Sequence, residues 1–217
     1  RAVQTALKVK AASYKFQDTF INGDVGVDVN AFDGLKKRLI GAQVITSPGT
    51  NGSPIFGTTS DTEAFWAAMD DLLSAVPGID GSNGAIYANA KLIGKIRSAG
   101  RRAGGTEMVR EDMTGKRVLT WNGIPVLDLG STAAGVDILP MTETKGSSNL
   151  TSSIYAVKFG QDEGDAGVTG LTNGGVSVRD LGEIDVKPAL RTRIEFFCGV
   201  GVFGGKAAAR STGWLNF

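Results

Sequence analysis

The chain opens RAVQTALKVKAASYKFQDTFINGD, residues 1–24, and this stretch decides how the rest is read. Val3, Leu7, Tyr14 and Ile21 recur at helical spacing while Val9, Phe16 and Phe20 fill a second apolar face, which predicts one helix from Arg1 to Ile21. Two apolar faces mean a helix bedded in protein on two sides. Between them Arg1, Lys8 and Lys15 repeat every seven residues with no acidic residue before Asp18, so three cations share one ridge. Taken alone, such a ridge is a solvated helix face. Asn22-Gly23-Asp24 stops the helix, and Phe32-Asp33-Gly34-Leu35 opens a short second one that runs to about Leu39.

Farther along, a loop rich in Gly, Pro, Ser and Thr spans 41–60. Ser60-Asp61-Thr62-Glu63 reads as a capping box for a third helix, with Phe65, Met69, Leu72, Leu73 and Val76 on one face and Pro77-Gly78 at its end. Ala85 to Ala88 reads as a short buried strand, and Asn89 as the cap of a helix through Leu92, Ile93 and Ile96 to about Ala99. A basic, Gly-rich loop is expected over 100–105. Val118 to Trp121 and Ile124 to Leu129 flank Asn122-Gly123, a pair suited to the positive φ angles of a tight hairpin. Pro125 has no backbone donor, so it calls for an edge or an unpaired site. Strands are expected at 153–159, 176–181 and 190–203, separated by Gly-rich turns such as Asn173-Gly174-Gly175. Helices early and strands late predict an α+β fold, not regular βαβ alternation.

Composition narrows the function. With 217 residues, 41% of them hydrophobic, the chain can bury a sizeable core. Lys+Arg at 23 against Asp+Glu at 22 leaves a net charge of +1, which argues against nucleic-acid binding through bulk charge. The absence of histidine removes the usual general base, the Ser-His and Cys-His pairs and the commonest metal ligand. Cys198, the single cysteine, lies in an apolar run and reads as a buried inert thiol, which suits folding in a reducing cytoplasm. The longest uncharged apolar stretch, 196–205, holds ten residues and four glycines, against the roughly 20 that a membrane helix needs.

Candidate catalytic motifs fail on chemistry. Gly199, Gly201 and Gly204 have dinucleotide-loop spacing, but the thirteen residues after Gly204 include no acid for a ribose and leave little room for the helix and second strand such a site needs. Those glycines are expected to bend a strand or admit a close backbone. Lys206 is followed by Ala207 instead of the hydroxyl residue of a phosphate loop, and Gly81-Ser82-Asn83-Gly84 lacks the spacing of a nucleophile elbow. Asp70-Asp71 is expected on the polar side of its helix. Arg191, Arg193 and Glu195 alternate with Leu190, Thr192, Ile194 and Phe196, so one strand face carries charge and the other is largely apolar.

Five segments, in order, resemble the tailed-bacteriophage major capsid proteins of the Hong Kong 97 fold family: Phe20-Ile21-Asn22-Gly23-Asp24, Phe32-Asp33-Gly34-Leu35, Gly84-Ala85-Ile86-Tyr87-Ala88-Asn89, Asn122-Gly123-Ile124-Pro125-Val126, and 186–214. The resemblance covers nearly the whole chain and rests on order and spacing. It implies a structural subunit and no enzyme: pentamers and hexamers of this chain forming an icosahedral shell around double-stranded DNA. Portal, scaffold and decoration proteins would be further partners, with assembly in the host bacterial cytoplasm and no cofactor, metal or membrane.

By the same resemblance, 1–40 is the spine-helix part of a peripheral domain, 41–164 an axial domain, 165–203 the returning peripheral strands and 204–217 a return to the axial domain. Arg1, Lys8 and Lys15 would then face the lumen and soften repulsion from packaged phosphates, while Arg191, Arg193 and Glu195 would meet a neighbouring subunit. The family carries an N-terminal arm and an extended loop ahead of its spine helix, so the biological protein is expected to extend before Arg1. Some relatives weld subunits by a lysine–asparagine bond promoted by a glutamate. Glu195 matches that glutamate by position, but Pro188 stands in the asparagine's place, and a non-covalent shell is expected. An encapsulin, with the same fold around cargo enzyme, is the nearest alternative, and a cytosolic carboxylate enzyme the more distant one.

Overall fold

Helices come early and strands late, in the α+β order expected from the sequence. The computed structural model describes residues 2–102, 109–111, 117–162, 164–184 and 187–217. Helix α1 is Ala2–Asn22 and α2 is Leu35–Arg38; a 3-10 turn at Gly41–Gln43 leads to strands β1 (Val44–Thr46) and β2 (Ser53–Pro54). Helix α3 (Thr59–Ser74), β3 (Gly84–Tyr87) and α4 (Ala90–Arg102) follow, then β4 (Val109–Glu111), β5 (Arg117–Trp121), β6 (Ile124–Leu127) and β7 (Glu143–Lys145). The chain closes with β8 (Ser148–Lys158), β9 (Val168–Ile184), β10 (Lys187–Val202) and β11 (Ala208–Leu215).

Several local expectations hold for the reasons given. Asn89 Oδ1 accepts from the Lys91 amide at 2.9 Å, capping α4. Asn122 and Gly123 both take positive φ, 47° and 80°, in the turn between antiparallel β5 and β6. Pro125 sits opposite Thr120, one pair out from that turn, and the parallel ladder to β3 starts only at Val126. Its missing N–H therefore costs no ladder bond, although β6 is an interior strand and not an edge. Asp70 and Asp71 are exposed, as expected.

Other expectations are corrected. The box that caps α3 lies two residues earlier: Thr58 Oγ1 accepts from the Asp61 amide at 3.2 Å and Asp61 accepts from the Thr58 amide at 2.7 Å. Arg102 adds a contact there that no local pattern shows, donating to the Gly57 and Thr58 carbonyls. Helix α4 continues to Arg102, past Ala99; the rest of the expected basic loop, 103–105, lies outside the described residues. The 41–60 segment carries β1 and β2, both parallel to β11, a strand not expected at all. Asn173-Gly174-Gly175 is no turn between strands. It bulges out of β9 where the register jumps from Phe196↔Val176 to Cys198↔Thr172, with both glycines at positive φ. Cys198 is half-buried, and that burial pushes its thiol above the ordinary value.

Among the described residues the main sheet runs β1-β11-β8-β3-β6-β5-β4, with β2 alongside β11 and β7 alongside β8. Cross-strand alignment puts Ile86, Val126, Ala156 and Ala209 on one face, where both α3 and α4 pack. Phe65 of α3 lies between Trp214 (4.9 Å) and Trp121 (6.2 Å). The opposite face, through Tyr155, Val157 and Ala208, packs on Ile21, Leu35 and residues 138–139. Strands β9 and β10 form a separate antiparallel ribbon on the order of 50 Å long at about 3.3 Å per residue.

Candidate assembly interface

The ribbon and α1 form the surface of interest. Phe16 of α1 packs edge-on against Phe196 of β10 at 6.1 Å and against Phe32 at 5.8 Å. Register places Val176, Val178, Ile194 and Phe196 on the ribbon face toward α1. One helix does not cover it: Val176 is 45% exposed and Val178 47%. Farther along the ribbon Leu171, Leu181, Leu190 and Phe197 are each about half exposed or more. A two-stranded ribbon is marginal in water by itself, and its two outer edges leave backbone groups free to pair.

A glycine junction fixes how α1 meets the sheet. Gly23 donates to the Thr19 carbonyl at 2.9 Å, and Gly34 donates to the Gly23 carbonyl at 2.8 Å, so two chain segments lie backbone to backbone. Asn22 Nδ2 donates to the Ile138 carbonyl (2.8 Å) and Asn89 Nδ2 to the Leu139 carbonyl (2.6 Å), which clamps 138–139 between α1 and the strand-to-α4 corner. Phe20 meets Tyr87 at 6.2 Å. Three of the segments quoted for the family resemblance thus converge on one place.

Lys37 Nζ bridges Asp24 (2.5 Å) and Asp33 (2.9 Å) across the same junction. Its hydrogen bonds, with those from the Gly26 and Val25 amides, hold both carboxyls below the ordinary value of 3.8. A folded value below the unfolded one stabilises at pH above about 3.8 and the stabilisation fades as pH falls through the folded values. Acidifying the subunit from about pH 6 to about pH 3 should therefore lower its melting temperature more in the parent than in Lys37→Met, by a modest amount because the pair is exposed. Equal losses in the two proteins would contradict this.

The site residues named from the sequence are brought together only in part. Arg1 lies outside the described residues. Lys8 is exposed, and Lys15 pairs with Asp28 at 3.3 Å, so that cation is not a bare one on its ridge. Arg191, Arg193 and Glu195 share the ribbon face turned away from α1, where Arg193 pairs with Glu195. Arg179, directly across from Arg193, joins that face. It was missed because cross-strand register is a long-range property. Also missed was a polar cluster on the sheet: Arg210 Nη2 reaches Glu143 at 2.8 Å, Arg210 Nε donates to Ser153 Oγ at 3.0 Å, Ser153 donates to Glu143, and Lys36 adds a contact at 3.6 Å. Each group there has a partner, so the cluster orders strands and offers no free chemistry.

Among the described residues no group of His, Cys, Asp and Glu could hold a metal ion, and no helix is long and apolar enough to cross a membrane. A long helix laid on an extended antiparallel ribbon and joined through a tight corner to an α+β sheet unit is the Hong Kong 97-type shell fold. Among solved structures the chain is similar to the holo-SrpI encapsulin complex from Synechococcus elongatus PCC 7942, with a TM-score of 0.70 at 18% identity, over 98% of this chain and 65% of that one. This chain thus spans less than two thirds of that encapsulin chain. A structure of Mycobacterium phage Che8 aligns with 75% of this chain and 53% of its own, at 16% identity and a TM-score of 0.37. Comparison with known protein families finds no match, and comparison with curated proteins finds none either.

Proposed function

We propose that this chain is the subunit of a closed protein shell, the major capsid protein of a tailed bacteriophage, assembling as pentamers and hexamers around packaged double-stranded DNA. The observation that carries this is the ribbon: some thirty residues of strand expose Leu171, Leu181, Leu190 and Phe197 and two open edges, which sister copies would cover. In this scheme 1–40 and 165–203 make the peripheral domain, 41–164 the axial domain, and 204–217 returns to it. Arg191, Arg193 and Glu195, with Arg179, meet a neighbour and set its orientation more than its affinity.

The ridge of Arg1, Lys8 and Lys15 faces the lumen and contacts phosphates without sequence readout. Reversing all three charges should shorten or destabilise the packaged genome; unchanged packaging refutes the lumenal role. The 0.70 likeness to an encapsulin supports a second reading, a compartment around cargo protein. Nuclease-treated particles, then disrupted, separate the two: long duplex DNA supports the capsid, and co-purified protein cargo without DNA supports the compartment.

A further inference from the structure

Helices α3 and α4 rest on the same face of the sheet and carry opposite charge. Helix α3 holds Asp61, Glu63, Asp70 and Asp71 and no lysine or arginine; α4 holds Lys91, Lys95, Arg97, Arg101 and Arg102 and no acid. Two of these nine serve the start of α3, and Arg101 donates to Ser98 Oγ at 3.0 Å within α4. Asp61 belongs to the α3 capping box, and Arg102 stacks 3.7 Å from the Phe56 ring while bonding the Gly57 carbonyl. Among the described residues none of the other seven forms an ion pair, and all but the half-buried Lys95 are exposed. So in a chain of net charge +1 the two helices meet at Arg102 and Thr62, yet their remaining acidic and basic side chains stay apart on one surface.

That separation costs the lone subunit. Lys91 and Lys95, and again Arg97 and Arg101, are like charges one helical turn apart, an arrangement that destabilises an isolated helix. An opposing acidic surface removes the repulsion. We propose that the basic face of α4 docks on the acidic face of α3 in the next copy of this chain. With the basic patch of one copy on the acidic patch of the next, and its own acidic patch left for a third, the contact is head-to-tail, the kind that closes into rings when its rotation allows. The docking rests on the shell role proposed above and names the surfaces that hold a ring together. Nucleic acid would also neutralise α4, but α3 on the same sheet face would repel it, and the acidic surface would be left without a partner.

The test uses the full chain in three forms, read by the fraction that sediments as particles in about 0.1 M salt. Lys91→Glu/Lys95→Glu/Arg97→Glu alters α4, Glu63→Lys/Asp70→Lys/Asp71→Lys alters α3, and the third form combines all six. Each triple variant should lose particles about tenfold or more, because like charges then face each other, and the combined exchange should restore yield to within about twofold. Thermal melting of the dispersed subunits checks that all three fold. For any variant that does not, the parent's own particle yield decides, since it should fall between about 0.1 M and about 1 M salt as exposed charges are screened. Particles formed normally by either triple variant, a folded combined variant that stays dispersed, or a salt-independent parent would overturn the docking. Intact particles with less nucleic acid from the α4 variant alone would assign that face to nucleic acid instead. A parent chain that forms no particles sinks the shell role itself, a failure distinct from these.

Discussion

Gly34→Ala should cost the subunit about 3 kcal/mol, the upper end of the range for overpacking a tight site. A methyl group there would lie 2.5 Å from the Ile21 carbonyl oxygen, 2.6 Å from that of Thr19 and 2.7 Å from the Gly23 amide nitrogen. All three are backbone atoms, so no side chain can swing aside, and relief requires the α1 end and the 32–35 segment to part. Parting them breaks the bond from Gly34 to the Gly23 carbonyl. The backbone angles at Gly34 are ordinary, φ −78° and ψ 173°, so the requirement for glycine is one of space and not of conformation. For a chain of this length the melting temperature should drop by roughly 6–12 °C. Gly199→Ala is the matched control: nothing lies within 4 Å of its added carbon, and a change within about 0.5 kcal/mol is expected. Equal melting of Gly34→Ala and the parent would remove the junction from the account.

The second large effect is on assembly. Leu190→Asp with Phe197→Asp should leave the subunit folded, since the two side chains are 60% and 62% exposed in the lone chain. In a shell both are expected to be covered, and covering a large apolar side chain is worth about 1.5–3 kcal/mol. Losing two such contacts should weaken subunit association by about a hundredfold or more, at a factor of ten per 1.4 kcal/mol. Size-exclusion chromatography at fixed protein concentration reads this directly. Particles formed as readily as by the parent would mean that this part of the ribbon faces solvent in the assembly.

What could be read from the sequence was local. The Asn122-Gly123 turn, the Asn89 cap and the stop at Asn22-Gly23 each use chemistry confined to a few residues, and the structure keeps them. Asn173-Gly174-Gly175 has the same left-handed preference, yet serves a bulge, because the partner strand some twenty residues later decides whether the chain turns or continues. Strands β1 and β2, three and two residues long, exist only through β11, more than 150 residues away. The Glu143–Arg210 pair spans 67 positions. On the candidate interface, alternation in 190–196 separated the charged from the apolar side, but Arg179 enters only once register is known. The opposite charges of α3 and α4 were visible in composition. That they share one sheet face was not.

Sedimentation velocity on the purified full chain, with electron micrographs of the same sample, is the most direct measurement. Closed particles of megadalton size are the expected result. A stable monomer or small oligomer at the same concentration, with Leu190 and Phe197 still open to solvent, would contradict the account.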